Sequence, residues 1–113
     1  MSNSVTKLCV LISGNGSNLQ AIINEIAAGR LNAQISGVIS NRPNAFGLER
    51  AKEAGIEAVC LDHTSFDSRE SYDAALKAQI NAFGADCVVL AGFMRILTPE
   101  FVDSFTGKLV NIH

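Results

Sequence analysis

Residues 7–27 read KLCVLISGNGSNLQAIINEIA, and this stretch decides the architecture. Its first seven residues are almost wholly apolar, the pattern of a short strand buried on both faces, so a strand is expected over 7–13. A Gly/Asn loop follows, and then Leu19, Ile22, Ile23, Ile26 and Ala27 recur at helical spacing. Strand, glycine loop and amphipathic helix therefore succeed one another within 21 residues. Gly29 is placed to end that helix.

The same alternation continues outward. Residues 35–40 (ISGVIS) supply a second strand that ends in the turn-like Asn41-Arg42-Pro43-Asn44. A second helix turns Ala45, Leu48, Ala51 and Ala54 inward and stops at Gly55. Residues 58–61 form a brief third strand, and a third helix carries Tyr72, Leu76, Ile80 and Phe83 on one face, with Asp67 and Glu70 spaced as a capping pair. Residues 87–92 give a fourth strand, Thr98-Pro99 opens a short helix as cap and first-turn proline, and residues 109–113 read as a fifth strand. The order βαβαβαβαβ, with strands apolar on both faces, calls for a doubly wound, Rossmann-like parallel sheet with helices on both sides.

At 113 residues the chain suits one domain, and 48% hydrophobic against 18% charged residues excludes long disorder. Residues 1–6 are polar enough to read as a flexible tail ahead of a domain over 7–113. The net charge of -2, with basic residues scattered from Lys7 to Lys108, argues against a nucleic-acid partner. No apolar run approaches the roughly 20 residues of a membrane helix, and no export signal is visible, so a cytoplasmic protein is expected. Cys9, Cys60 and Cys87 are odd in number, lack C-x-x-C spacing and lie in apolar segments, the pattern of buried reduced thiols rather than a metal site.

In open parallel sheets, ligands gather where strands end and helices begin. The first such loop, residues 13–18 (SGNGSN), offers glycines for close approach and the free amides and positive dipole end of a helix. It is either an ordinary turn or a cradle for one phosphate monoester, held by Gly16, Ser17 and Asn18. A dinucleotide fingerprint is excluded because Leu19 stands where Gly or Ala is needed, and a P-loop is excluded for lack of Gly-Lys-Ser/Thr.

Asn111 and His113, two apart on the last strand, share one face: an amide donor beside a titratable imidazole, suited to acyl transfer or else structural. Between these ends runs the apolar loop Phe93-Met94-Arg95-Ile96-Leu97, which either walls a slot for a flat ligand or packs on the next helix. Arg69, in the first turn of the third helix, either reaches an anion or pairs at the surface. His63 reads as a solvated loop residue.

Taken together, SGNGSNLQ (13–20), AFGLERA (45–51), FDSRE (66–70), AGFMRILTPEFV (91–102) and Asn111-Ile112-His113 make the chain resemble the glycinamide ribonucleotide formyltransferases over nearly its whole length. The resemblance implies transfer of a formyl group from 10-formyltetrahydrofolate to the amine of glycinamide ribonucleotide in purine biosynthesis, with no metal. It implies that Gly16, Ser17 and Asn18 hold the substrate phosphate, and that Arg69, Met94, Arg95, Ile96, Leu97 and Asn111 bind the folate. Asn111 and His113 become the catalytic pair. The family also uses an aspartate well downstream of its Asn-x-His, and no residue here matches it. The chain is accordingly expected to be an N-terminal part, cut at the catalytic strand, whose partners include the missing C-terminal half and, through its open edge, further copies of itself. The alternatives are a non-catalytic phosphate-binding module and a related formyltetrahydrofolate hydrolase.

Overall fold

A computed structural model describes residues 5–94 and 97–112. Five strands, β1 (Thr6–Ile12), β2 (Ala33–Ser40), β3 (Ala58–Cys60), β4 (Cys87–Ala91) and β5 (Leu109–Ile112), form one parallel sheet in the order β3-β2-β1-β4-β5. Between them run α1 (Ser17–Ala27), α2 (Phe46–Glu53), α3 (Arg69–Ala82) and α4 (Pro99–Ser104), with a 3-10 turn at His63–Ser65. The doubly wound fold expected from the alternation is the one observed. β1 starts at Thr6, inside the stretch expected to be a tail.

Alternate residues of β1 feed two cores, as a strand with period two must when both faces are covered. Leu8, Val10 and Ile12 pack with Leu19 and Ile22 of α1 and Ala51 of α2 on one face. Cys9 and Leu11 pack on the other with Tyr72, Leu76 and Ile80 of α3 and Phe101 of α4. The winding runs from β1 through β2 to β3, then crosses back to place β4 on the opposite side of β1. The switch point therefore lies between the carboxyl ends of β1 and β4, which is where such sheets open a crevice.

Three local expectations are corrected. The cap of α3 is Ser68, not the Asp67 and Glu70 pair. The Ser68 hydroxyl accepts the Ser71 N–H at 3.0 Å, and the Ser71 hydroxyl accepts the Ser68 N–H, because Ser68 is the residue with extended backbone angles at that junction. Ala54 is exposed at the end of α2 rather than turned inward. Of the cysteines, Cys9 is buried, Cys87 half-buried and Cys60 exposed, since β3 is an edge strand and the last residue of its three has nothing to cover it. Among the described residues, no helix is long and apolar enough to cross a membrane and no group of three or more His, Cys, Asp or Glu side chains could hold a metal.

Candidate functional site

The turn after β1 is shaped by its glycines and by the helix it meets. Gly16 takes the left-handed conformation (φ 81°, ψ 23°) as the N-cap of α1, and its carbonyl accepts the Gln20 N–H at 2.8 Å to start the helix. A Cβ on Gly16 would lie 2.6 Å from the Gly47 Cα, and one on Gly47 would lie 2.4 Å from Ile12. The loop and α2 thus touch backbone to backbone, and the Gly47 N–H donates to the Gly14 carbonyl at 3.0 Å.

No side chain caps α1, and no backbone hydrogen bond among the described residues uses the N–H of Gly16, Ser17 or Asn18. These are the unsatisfied donors every helix start presents, here with the positive end of an 11-residue dipole behind them. They edge a cleft of about 330 Å³ bounded by residues 13–18, Arg42, Ala91, Gly92 and Met94. Arg42 is exposed, and among the described residues no carboxylate lies within ion-pair distance of it. The cleft therefore carries free amides and an unneutralised guanidinium, the donor set of an anion site.

The cleft is braced from below by a buried polar chain. The Ser13 hydroxyl accepts the Met94 N–H at 2.7 Å and donates to Asn41 Oδ1 at 2.6 Å, joining the carboxyl ends of β4, β1 and β2 through one oxygen. Ser13 and Asn41 are each 3% exposed, so the bond between them has no water as a substitute. The Asn41 carbonyl lies 3.1 Å from Nδ1 of His63, so that ring is half-buried and engaged rather than merely solvated.

Of the residues singled out from sequence, Gly16, Ser17, Asn18 and Met94 meet in this cleft. Met94 is 74% exposed, while Phe93 and Leu97 are half-buried against the α3/α4 core, the packing role considered for this loop. Arg69 is the exposed first residue of α3 and does not line the cleft. Asn111 lies on β5 beside Leu90 of β4 and is exposed. Ile112 packs toward the α1/α2 core and Leu109 toward the α3/α4 core, which puts Asn111 on the latter face. Arg95, Ile96 and His113 lie outside the described residues.

Sequence reading missed Asn41, Arg42 and Arg50. The first two follow β2 at its carboxyl end, and the rule that selected the loop after β1 would have selected them too had the Asn-Arg-Pro-Asn segment not read as a plain turn. For the three cysteines burial pushes the thiols up, Cys9 to about 12, so buried Cys9 stays protonated near neutral pH.

Comparison with known proteins follows the same residues. The formyl transferase family model matches residues 6–113. The chain is 53% identical over 106 residues to a phosphoribosylglycinamide formyltransferase of Escherichia coli, covering 94% of this chain and 50% of that one. It is 44% identical over 107 residues to the human trifunctional purine biosynthetic protein adenosine-3, covering 95% of this chain and 11% of that one. The structure superposes on a phosphoribosylglycinamide formyltransferase from Coxiella burnetii with a TM-score of 0.94 at 44% identity, over 97% of this chain and 52% of that one. A glycinamide ribonucleotide transformylase from Symbiobacterium toebii gives 0.93 at 41% identity, over 100% and 53%. The chain thus spans about half the length of the Escherichia coli, Coxiella burnetii and Symbiobacterium toebii relatives, and with the family model matching it from β1 to its last residue, it belongs to the formyl transferase family.

Proposed function

We propose that the chain provides the phosphate-binding half and the catalytic strand of an enzyme that moves a formyl group from 10-formyltetrahydrofolate to the amine of glycinamide ribonucleotide, a cytoplasmic step of purine biosynthesis. The observation that carries this reading is the cleft at the β1/β4 switch point, where the N–H groups of Gly16, Ser17 and Asn18 and the Arg42 side chain, without hydrogen-bond or ion-pair partners among the described residues, line one space. One phosphate monoester matches that donor set in charge and size. The folded domain, which begins with β1 at Thr6, is then the N-terminal part of the catalytic unit, completed by a C-terminal half of the kind its relatives carry.

In this reading Met94, Arg95, Ile96 and Leu97 line the folate, with Arg69 and Asn111 adding polar contacts. The substrate amine attacks the formyl carbon, forming a carbon–nitrogen bond and a tetrahedral oxyanion. The Asn111 amide and protonated His113 donate to that oxyanion, and the bond to the folate nitrogen breaks as the amine's proton is relayed to it. An imidazole with its ordinary pKa of about 6.5 is only partly protonated at neutral pH, which is why a carboxylate supplied from the other half matters to the rate.

The test has two parts. Glycinamide ribonucleotide titrated into the ¹⁵N-labelled chain is expected to shift the amides of Gly16, Ser17 and Asn18, and Ser17→Asp to abolish the response by setting a negative charge against the phosphate. Shifts elsewhere, or equal binding of the unphosphorylated riboside, defeat the cradle. Turnover is then measured for the chain, for the C-terminal half of the Escherichia coli relative, and for their mixture: only the mixture is expected to be active, and His113→Ala to silence it. Phosphate binding with a mixture indifferent to His113 would favour the non-catalytic module.

A further inference from the structure

Arg50 is the most extensively bonded arginine near the cleft, yet it does not line it. It projects from α2 to the outside of the glycine loop. Its Nε donates to the Asn15 carbonyl at 2.8 Å, its Nη2 to Asn15 Oδ1 at 2.8 Å, and its Nη1 to Gln20 Oε1 at 3.3 Å. The guanidinium also stacks over the Phe46 ring, 4.9 Å from its centroid. One planar fork is thereby held by the loop on one edge and by α1 on the other.

The consequence follows from peptide geometry. In a trans peptide the C=O and the following N–H point in opposite directions within one plane, and no peptide among the described residues is cis. Fixing the Asn15 carbonyl toward Arg50 therefore fixes the Gly16 N–H away from it. The preceding peptide is treated alike, since the Gly14 carbonyl accepts the Gly47 N–H of the same helix. Two successive carbonyls face α2, leaving the N–H edges for the other side. Gly16, free to take either sign of φ, is the residue most able to lose this arrangement if nothing holds it.

We infer that Arg50 is a positioning residue that sets the Asn15–Gly16 peptide plane, so that the Gly16 N–H faces the cleft before any anion arrives. This rests on the phosphate reading for its purpose, although the plane itself can be measured without ligand. Arg50 acts through its fork and not merely through its charge, which separates its role from that of Arg42. A lysine keeps the charge but cannot hold both oxygens of Asn15 and stack on Phe46 at once.

The experiment compares the ¹⁵N-labelled chain with Arg50→Lys and Arg50→Ala. Without ligand, the Gly16 amide residual dipolar coupling is expected to change in both variants while those of Val10 and Leu76 in the core do not. With glycinamide ribonucleotide, both variants are expected to bind about tenfold more weakly, the effect of one lost hydrogen bond to a charged group, while the unphosphorylated riboside is unaffected. Wild-type affinity in Arg50→Lys would reduce the residue to a charge and overturn the proposal, as would an unmoved Gly16 coupling in Arg50→Ala. If wild type gives no phosphate response at Gly16, Ser17 and Asn18, the cradle fails, and the coupling still decides whether Arg50 sets the plane. Should the Arg50 variants not fold, Asn15→Ala at its exposed position removes only the Oδ1 half of the clamp: a smaller loss of affinity supports the proposal, and full affinity with an unmoved Gly16 coupling overturns it.

Discussion

Ser13 does at one oxygen what usually takes several residues: it accepts from the Met94 loop and donates to Asn41, the second bond being closed to water. Ser13→Ala strands the buried Asn41 amide oxygen and removes the partner of the part-buried Met94 N–H, so a stability loss of about 2 kcal/mol in urea unfolding is expected, the cost of an orphaned buried polar group. The cysteines make a second residue-scale prediction. Burial holds the Cys9 thiol at about 12, above its ordinary value of 9.0, so the folded state prefers it protonated. Its contribution to stability is full below the unfolded value and is lost as pH rises from 9.0 toward about 12; Cys60 and Cys87 shift the same way. Urea midpoints should fall across that alkaline window, less steeply in Cys9→Ala, and iodoacetamide should label exposed Cys60 well before Cys9. The residues of the glycine loop that edge the cleft were legible because glycines and a following helix leave a local signature. Arg50 was not, because its partner Asn15 is 35 residues away and nothing local marks the contact.

At the scale of elements, legibility divides along the same line between local and distant causes. The five strands and four α-helices among the described residues were readable, since apolar runs and helical spacing are properties of the segment itself, while the short 3-10 turn at His63–Ser65 was not. The Thr98 cap with Pro99 behind it was readable for the same reason, and Thr98 accepts the Phe101 N–H at 3.2 Å as expected. What could not be read is that the Thr98 N–H also donates to buried Asp73 Oδ2 at 2.7 Å, tying the start of α4 to α3. The α3 cap was misread because Asp67/Glu70 and Ser68/Ser71 have the same spacing, and only the backbone angles of Ser68 decide between them. Ser68→Ala should therefore cost about 1 kcal/mol, the usual value of an N-cap, while Asp67→Ala leaves the urea midpoint unchanged. The reverse result would restore the aspartate as cap.

The whole molecule presents two sheet edges, and they differ. β3 is three residues long, too short to template a partner. β5 reads Leu-Val-Asn-Ile without a charge, Val110 is 47% exposed, and among the described residues the strand pairs only with β4. Its outer row of N–H and C=O groups has the composition of an edge that accepts another strand, and a net charge of -2 supplies little repulsion between copies. Relatives about twice as long have further chain with which to meet such an edge. We therefore expect the 113-residue chain to self-associate as its concentration rises toward millimolar. Val110→Lys, which places a charge on the edge without entering either core, should shift sedimentation back toward monomer. The C-terminal half of the Escherichia coli relative should do the same by occupying the strand. High salt should not, because backbone pairing and apolar contact are not screened as charge pairs are. A monomer at every concentration would show that β5 is blunted already, and association untouched by Val110→Lys would move the contact to another surface.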